Sequence, residues 1–368
     1  MYIHIPWCVR KCPYCDFNSH QAKTGIDEAH YLNCLVNDFI TEWEQSGKQT
    51  LTSIFIGGGT PSFLSASFYE KLLEQLDKQV SFDGIEITLE ANPGTLDADN
   101  FAGYRNAGIN RLSIGVQSFD NTLLKSLGRI HDSQQAVKAY QVARQSGFTN
   151  INLDLMFALP DQSVKMAMND LEQAISLEPD HLSWYQLTLE PNTPFNANPP
   201  DKIPDDDSTW EIQQTGQSLL KANGFHQYEI SAYARDNRQC EHNLNYWRFG
   251  DYIGIGAGAH GKLTRSNGGI IRRSKKRSPV DYMNGNFLSQ QQVIDPSGLL
   301  FEYLMNRLRL KEAFRLEDII DLTGLDDEQV KTKLQQAIEQ QFLQQKNGNY
   351  SVSERGHQYL NELLMMFL

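Results

Sequence analysis

The sequence predicts an α/β protein: a parallel sheet wound as a partial (β/α)6 barrel of the TIM type, followed by a small winged-helix-like α+β module at the C-terminal end. Six β-like runs begin near Tyr2 ("YIHI"), Thr52 ("TSIFIGG"), Glu86 ("EITLEAN"), Arg111 ("RLSIGVQS"), Ile151 ("INLDLMFAL") and Leu182 ("LSWYQLTL"). Between them lie patterns such as "AHYLNCLVNDFITEW" and "SFYEKLLEQLDKQ", with apolar residues three and four apart, as on the buried face of a helix. From about Gly298 the rhythm changes to helix ("LEDIIDLTG"), helix ("DEQVKTKLQQAIEQQ"), hairpin ("FLQQKNGNYSVS", with an Asn-Gly turn) and helix ("ERGHQYLNELLMMFL").

Strand-helix alternation builds a parallel sheet, and six units of it bend toward a barrel whose functional side chains gather at the carboxyl ends of the strands. A chain of 368 residues has room for such a unit and a small appendage. The expected division is a barrel over 1–235, an extension over 236–297 and the terminal module over 298–368. The Pro- and Asp-rich stretch from Glu190 to Ser208 reads as a long surface loop, and "FHQYEISAYA" as a further strand after it.

The 45 acidic against 33 basic residues give a formal net charge of -12, which argues against nucleic acid or an anionic membrane as the main partner. The terminal module repeats the point, because the segment Asp326 to Gln341 carries four acidic residues against Lys331 and Lys333. No apolar stretch approaches about 18 residues and the start lacks a signal-like pattern, so a cytoplasmic protein is expected. Five cysteines, an odd number, fit a reducing compartment better than a disulfide framework.

Three of those cysteines, Cys8, Cys12 and Cys15, form C-x3-C-x2-C in a polar loop directly after the first strand. Three buried thiols or a zinc site with His20 as fourth ligand are alternative readings. A [4Fe-4S] cluster explains the number three better, since three thiolates leave one iron open to a small molecule. The other strand ends carry chemistry of their own. "IGGGTPS" brings Gly58, Gly59 and Thr60, where bare backbone approaches a ligand closely. Glu90, Gln117 and Asp154 follow on the third, fourth and fifth strands.

At the cysteines, with Tyr14 just before the last of them, the sequence resembles the radical S-adenosylmethionine (SAM) superfamily. The resemblance implies that the amine and carboxylate of SAM chelate the open iron. It further implies that Gly58, Gly59 and Thr60 grip the methionine amine, that Glu90 and Arg129 bracket the methionine, and that Gln117 and Asp154 take the ribose. Tyr2 is expected to pack on the cofactor, with Thr188 and His260 aligning more loosely.

The second informative stretch is "CEHNLNYW", Cys240 to Trp247. His242 offers an imidazole for an axial iron bond, and Tyr246 and Trp247 offer aromatic faces for a flat macrocycle. The pattern H-N-x-x-Y-W is similar to that of HemW-type haem chaperones, and the likeness to the HemN/HemW-like family spans nearly the whole chain. "RRSKKR", Arg272 to Arg277, is expected as a solvated face or as a partner for haem propionates. Two departures from the anaerobic coproporphyrinogen dehydrogenase set the branch. Phe17 stands where the dehydrogenase has an additional cysteine, and the first strand begins at Tyr2 without its N-terminal arm. The expected function is therefore a haem chaperone that passes haem to an acceptor protein, with an electron donor for the cluster and membrane association only through the acceptor. The alternative is an oxygen-independent coproporphyrinogen III dehydrogenase of porphyrin biosynthesis, and whether radical chemistry is performed stays open.

Overall fold

The computed structural model describes residues 1–22, 25–93, 95–265 and 268–368, with the side chains of 95–99 left out of account. Six strands run parallel and lie side by side in chain order: β1 (Tyr2–Ile5), β2 (Ser53–Gly58), β3 (Glu86–Ala91), β4 (Arg111–Gln117), β5 (Ile151–Phe157) and β6 (His181–Gln186). Each neighbours the next because each is followed by a helix that crosses back over the sheet, the arrangement of an open six-unit barrel. The short strand Gly254–Ile255 adds beside β1, and Ala232–Ala234 with His226–Gln227 add antiparallel beyond β6. The single strand expected over "FHQYEISAYA" is thus two short ones that turn back at Tyr228 to Ser231.

Burial on both faces accounts for the apolar β-branched runs. Ile3, Ile5, Ile54, Ile56, Ile114 and Leu153 are fully buried in one core with the inner faces of the helices. The helix Ala66–Asp77 shows how those faces form: Ser65 caps it by accepting from the Phe68 amide, and Phe68, Tyr69, Leu72, Leu73 and Leu76 bury one stripe.

Register aligns the strand ends. Ile5 lies opposite Gly58, Glu90 opposite Ser113, and Asp154 opposite both Gly115 and Ser183. Residues in register share a face of the sheet, so the polar side chains converge at one edge.

Two loop expectations are corrected. Within Glu190 to Ser208 a helical turn, Pro194–Ala197, buries Phe195 with its ring 6.3 Å from Tyr14. "RRSKKR" is not one solvated face, because its first four residues belong to the central strand, Ile270–Lys275, of a three-stranded antiparallel sheet, and of its five cations Arg277, beyond the strand end, is the exposed one. Arg273 and Lys275 point inward to Glu42 and Asp38 on the helix Glu28–Gln45, while Arg272 pairs with Glu302.

The chain ends in a compact module with its own core. The helices Leu316–Thr323 and Asp327–Glu339 precede the hairpin Leu343–Lys346 and Asn349–Val352, whose turn residues Asn347 and Gly348 both have positive φ, as an Asn-Gly turn of type I′ requires. The helix Pro296–Arg307, absent from the sequence reading, packs on it. Among the described residues no helix is long and apolar enough to cross a membrane.

Candidate functional site

The loop after β1 is closed by a short parallel pairing of Trp7–Cys8 with His20–Gln21 and by a turn in which the Cys15 amide donates to the Cys12 carbonyl at 3.2 Å. It sits on the glycines that end β2. Gly59 donates to Ile5 and Thr60 to Trp7, each at 2.7 Å. These contacts leave no room for a side chain. A Cβ on Gly58, where φ is +118°, would lie 2.6 Å from the His4 imidazole, and one on Gly59 would lie 2.5 Å from the Trp7 carbonyl oxygen.

Below this loop opens a cavity of about 390 Å³ at the strand ends. Cys8, Cys12, Tyr14, Cys15, Gly58, Gly59, Thr60, Glu90, Gln117, Arg129 and Asp154 all line it. Glu90 Oε2 accepts from the Gly58 amide at 3.1 Å, and burial, helped by the charge of Asp154, pushes its carboxyl up to about 8. Asp154 accepts from Ser113 Oγ and Asn152 Nδ2, both at 2.8 Å, and burial raises its pKa. Arg129 donates through Nη2 to Asn92 Oδ1 (2.6 Å) and the Gly115 carbonyl (2.8 Å), while Nη1 lies 3.7 Å from Cys12 Sγ. Its Nε has no partner, and among the described residues it forms no ion pair.

Gln117 ends β4 at a bulge, with φ +68°. The strain is held from outside the cavity. Asp170, buried on the helix Val164–Ser176, accepts from Ser118 Oγ and, at 2.6 Å, from the Phe119 amide, which fixes the turn that aims Gln117 at the Tyr185 hydroxyl (2.9 Å). Sequence reasoning missed Asp170, as well as Asn92, Ser113, Asn152 and Tyr185. It also missed His4, whose ring nitrogens meet the Tyr2 hydroxyl (2.9 Å) and the Asn18 carbonyl (2.8 Å) and so tie β1 to the end of the cysteine loop. Burial pushes the His4 pKa down to about 4, leaving a neutral ring. The signal for it was the alternation in "YIHI", which puts His4 on the same strand face as Tyr2.

The sequence model of the Radical SAM superfamily matches residues 2–174, and that of the HemN C-terminal domain matches 294–366. The heme chaperone HemW of Haemophilus influenzae is 50% identical, covering 100% of this chain and 97% of its own. That of Escherichia coli is 49% identical with the same coverage. The chain belongs to the HemW family, within the radical SAM superfamily. A solved structure of the Escherichia coli coproporphyrinogen III oxidase HemN, described as a radical SAM enzyme, superposes with a TM-score of 0.83 over 100% of this chain and 89% of its own. At 21% identity that likeness concerns the fold.

Radical SAM proteins hold SAM on a [4Fe-4S] cluster, and the cavity of this HemW-family chain fits both. Burial raises the pKa values of Cys8 and Cys15, so both thiols are protonated until iron displaces the protons. Among the described residues, Arg129 is a partly buried cation without a carboxylate and Glu90 a partly buried carboxylate without a cation, which complements the carboxylate and ammonium of a zwitterionic amino acid. Asp154, held by neutral donors, is suited to accept from hydroxyls. Bound together, the two cofactors would supply the means for one-electron cleavage of the SAM sulfonium. His20, the expected fourth zinc ligand, is engaged elsewhere: its Nε2 faces the Arg277 carbonyl at 3.1 Å, and the residue is not part of the cavity wall.

Four expected residues lie outside that wall. Tyr2 is immediately behind it, with its ring stacked on Phe55 at 6.3 Å. Thr188 is exposed and bonded to the Gln186 carbonyl, and His260 is exposed at the start of the strand His260–Thr264. The fourth is His242, and here the haem expectation is corrected. The helix Glu241–Trp247 turns His242 and Tyr246 inward, one turn apart, and presents Asn243 and Trp247 to the cavity instead. The His242 ring, 2% exposed, stacks on Phe55 at 5.0 Å and meets Tyr246 edge-on at 4.5 Å. Its Nδ1 bonds Ser53 Oγ at 3.3 Å and its Nε2 is sealed from solvent, so an iron reaches it only by displacing the barrel wall.

Proposed function

We propose that this protein binds haem and hands it to an acceptor protein, carrying a SAM-liganded [4Fe-4S] cluster at its strand ends, and that it does not convert coproporphyrinogen III. The observation that carries this reading is identity of 49 to 50% over the full chain with two proteins named heme chaperone HemW, against 21% with the coproporphyrinogen III oxidase. Phe17 adds support. It borders the cavity, 59% exposed, where an apolar ring replaces the additional cysteine expected of the dehydrogenase. We place the protein in the cytoplasm, with an electron donor serving the cluster.

The test is anaerobic. Reconstituted protein is titrated with haem while a parallel sample receives coproporphyrinogen III, SAM and a reductant. A saturable haem absorbance band, with no loss of coproporphyrinogen, is expected. Turnover of coproporphyrinogen at about one per second, inside the usual enzyme range, would overturn the chaperone reading.

A further inference from the structure

With His242 sealed in the barrel wall, an outward-facing axial imidazole has to come from another histidine. The chain has nine histidines. His4, His20, His30, His131 and His181 each spend at least one ring nitrogen on a protein partner. His226 pairs with Asp236, and His357 is partly buried near Lys311 in the terminal module. His260 differs: it is exposed, and its imidazole has no hydrogen-bond partner among the described residues.

Its position is fixed against the cysteine loop. Gly258, two residues before it, packs so closely on Asn18 that a Cβ there would lie 2.2 Å from the Asn18 amide nitrogen. Asn18 Nδ2 donates to the carbonyls of Ala257 and Arg277, both at 2.9 Å, and Asn18 Oδ1 accepts from Arg277 Nε at 3.4 Å. One asparagine thus binds together three neighbours: Phe17 beside it in the chain, the turn that leads to His260, and the exposed Arg277. Arg277 is close enough for its charge to add to the effect of burial in lowering the His260 pKa. On a protein of net charge -12, an exposed imidazole lies within electrostatic reach of a cation, and the exposed Phe17 immediately precedes the asparagine that ties the two segments together.

We propose that haem docks on this outer face of the cysteine loop, with His260 as axial ligand, the Phe17 ring against the macrocycle and Arg277 paired with a propionate. Each part of the ligand meets its complement: iron takes a neutral imidazole, the flat apolar ring takes an aromatic face, and the carboxylate takes a guanidinium. His260 and Arg277 stand outside the wall of the strand-end cavity and Phe17 borders it, so the cavity's interior is left to SAM. The proposal rests on the haem-binding reading above.

The experiment titrates haem into the cluster-reconstituted full chain and into the variants His260→Ala, Arg277→Glu, Phe17→Ser and His242→Phe. Absorbance reports haem, and iron and sulfide analysis confirms that each variant retains its cluster. His260→Ala is expected to weaken haem binding at least about tenfold and to shift the absorbance band as the axial ligand is lost, while Arg277→Glu and Phe17→Ser weaken it less. His242→Phe, if folded with its cluster, should bind haem as wild type does. Wild-type affinity and spectrum in His260→Ala would overturn the proposal alone. A wild-type protein that binds no haem would overturn the chaperone reading, and this site with it.

Discussion

Cys12→Ser is expected to abolish the cluster: iron and sulfide fall from about four of each per reconstituted chain to near zero. Cys8→Ser and Cys15→Ser should do the same. The cysteine loop supplies three thiolates and no spare, since Cys34 and Cys240 are buried elsewhere, Cys34 on the helix Glu28–Gln45 and Cys240 beside Glu86. A serine hydroxyl is a far weaker ligand for iron than a thiolate, so two cysteines remain to hold a cube that needs three. The fold should survive, because the loop is also tied down by backbone bonds at Ser19, His20 and Ala22 and by Lys11 Nζ on the Phe17 carbonyl. Iron and sulfide analysis beside circular dichroism checks both halves. Retention of a full cluster in Cys12→Ser would remove that residue from the ligand set.

The second large effect concerns stability. Lys275→Ala should cost about 3–5 kcal/mol, read as a lowered urea midpoint, because it leaves two buried carboxylates without their shared cation. Lys275 Nζ bonds Asp38 Oδ1 and, at 2.6 Å, Glu42 Oε1, and all three side chains are at most 2% exposed. Arg273 still holds Glu42, but among the described residues Asp38 keeps only the Tyr282 hydroxyl (2.7 Å) and the Gly256 amide (3.3 Å). Burial already raises the Asp38 pKa against the pull of Lys275. Without the lysine it rises further, so the folded variant binds a proton that the unfolded chain does not. A raised carboxyl pKa gives stability that grows as pH falls toward the unfolded value, and the defect should therefore shrink between pH 7 and about 5. A loss below about 1 kcal/mol at pH 7, the range of surface pairs, would contradict the assignment.

These two sites differ in how far the sequence disclosed them. The cysteine loop was legible because its chemistry is local: three thiols within a single turnlike segment announce one centre whatever the fold does around them. The strand-end residues were nearly as legible, since strand-helix alternation fixes which end of each run is functional, and Glu90, Gln117 and Asp154 all reached the cavity wall. Lys275 was not, because a run of five cations in six residues looks like surface until alternation on a strand divides it, and its partners Asp38 and Glu42 lie over 230 positions away. Asp170 escaped for the same reason, reaching the turn after β4 from 52 residues down the chain. With His242 the motif was read as a unit, whereas a helix distributes four consecutive residues around its circumference, so that the imidazole and the indole of one motif face different ways.

That the strand ends form one cluster-and-SAM site is tested most directly by electron paramagnetic resonance of the reduced, reconstituted protein with and without saturating SAM. SAM bound to the open iron should change the spectrum of the wild type and, because Glu90 is the carboxylate set to receive the ammonium, should do so only weakly in Glu90→Gln with its cluster intact. A wild-type spectrum that SAM leaves unchanged would contradict the assignment of this cavity.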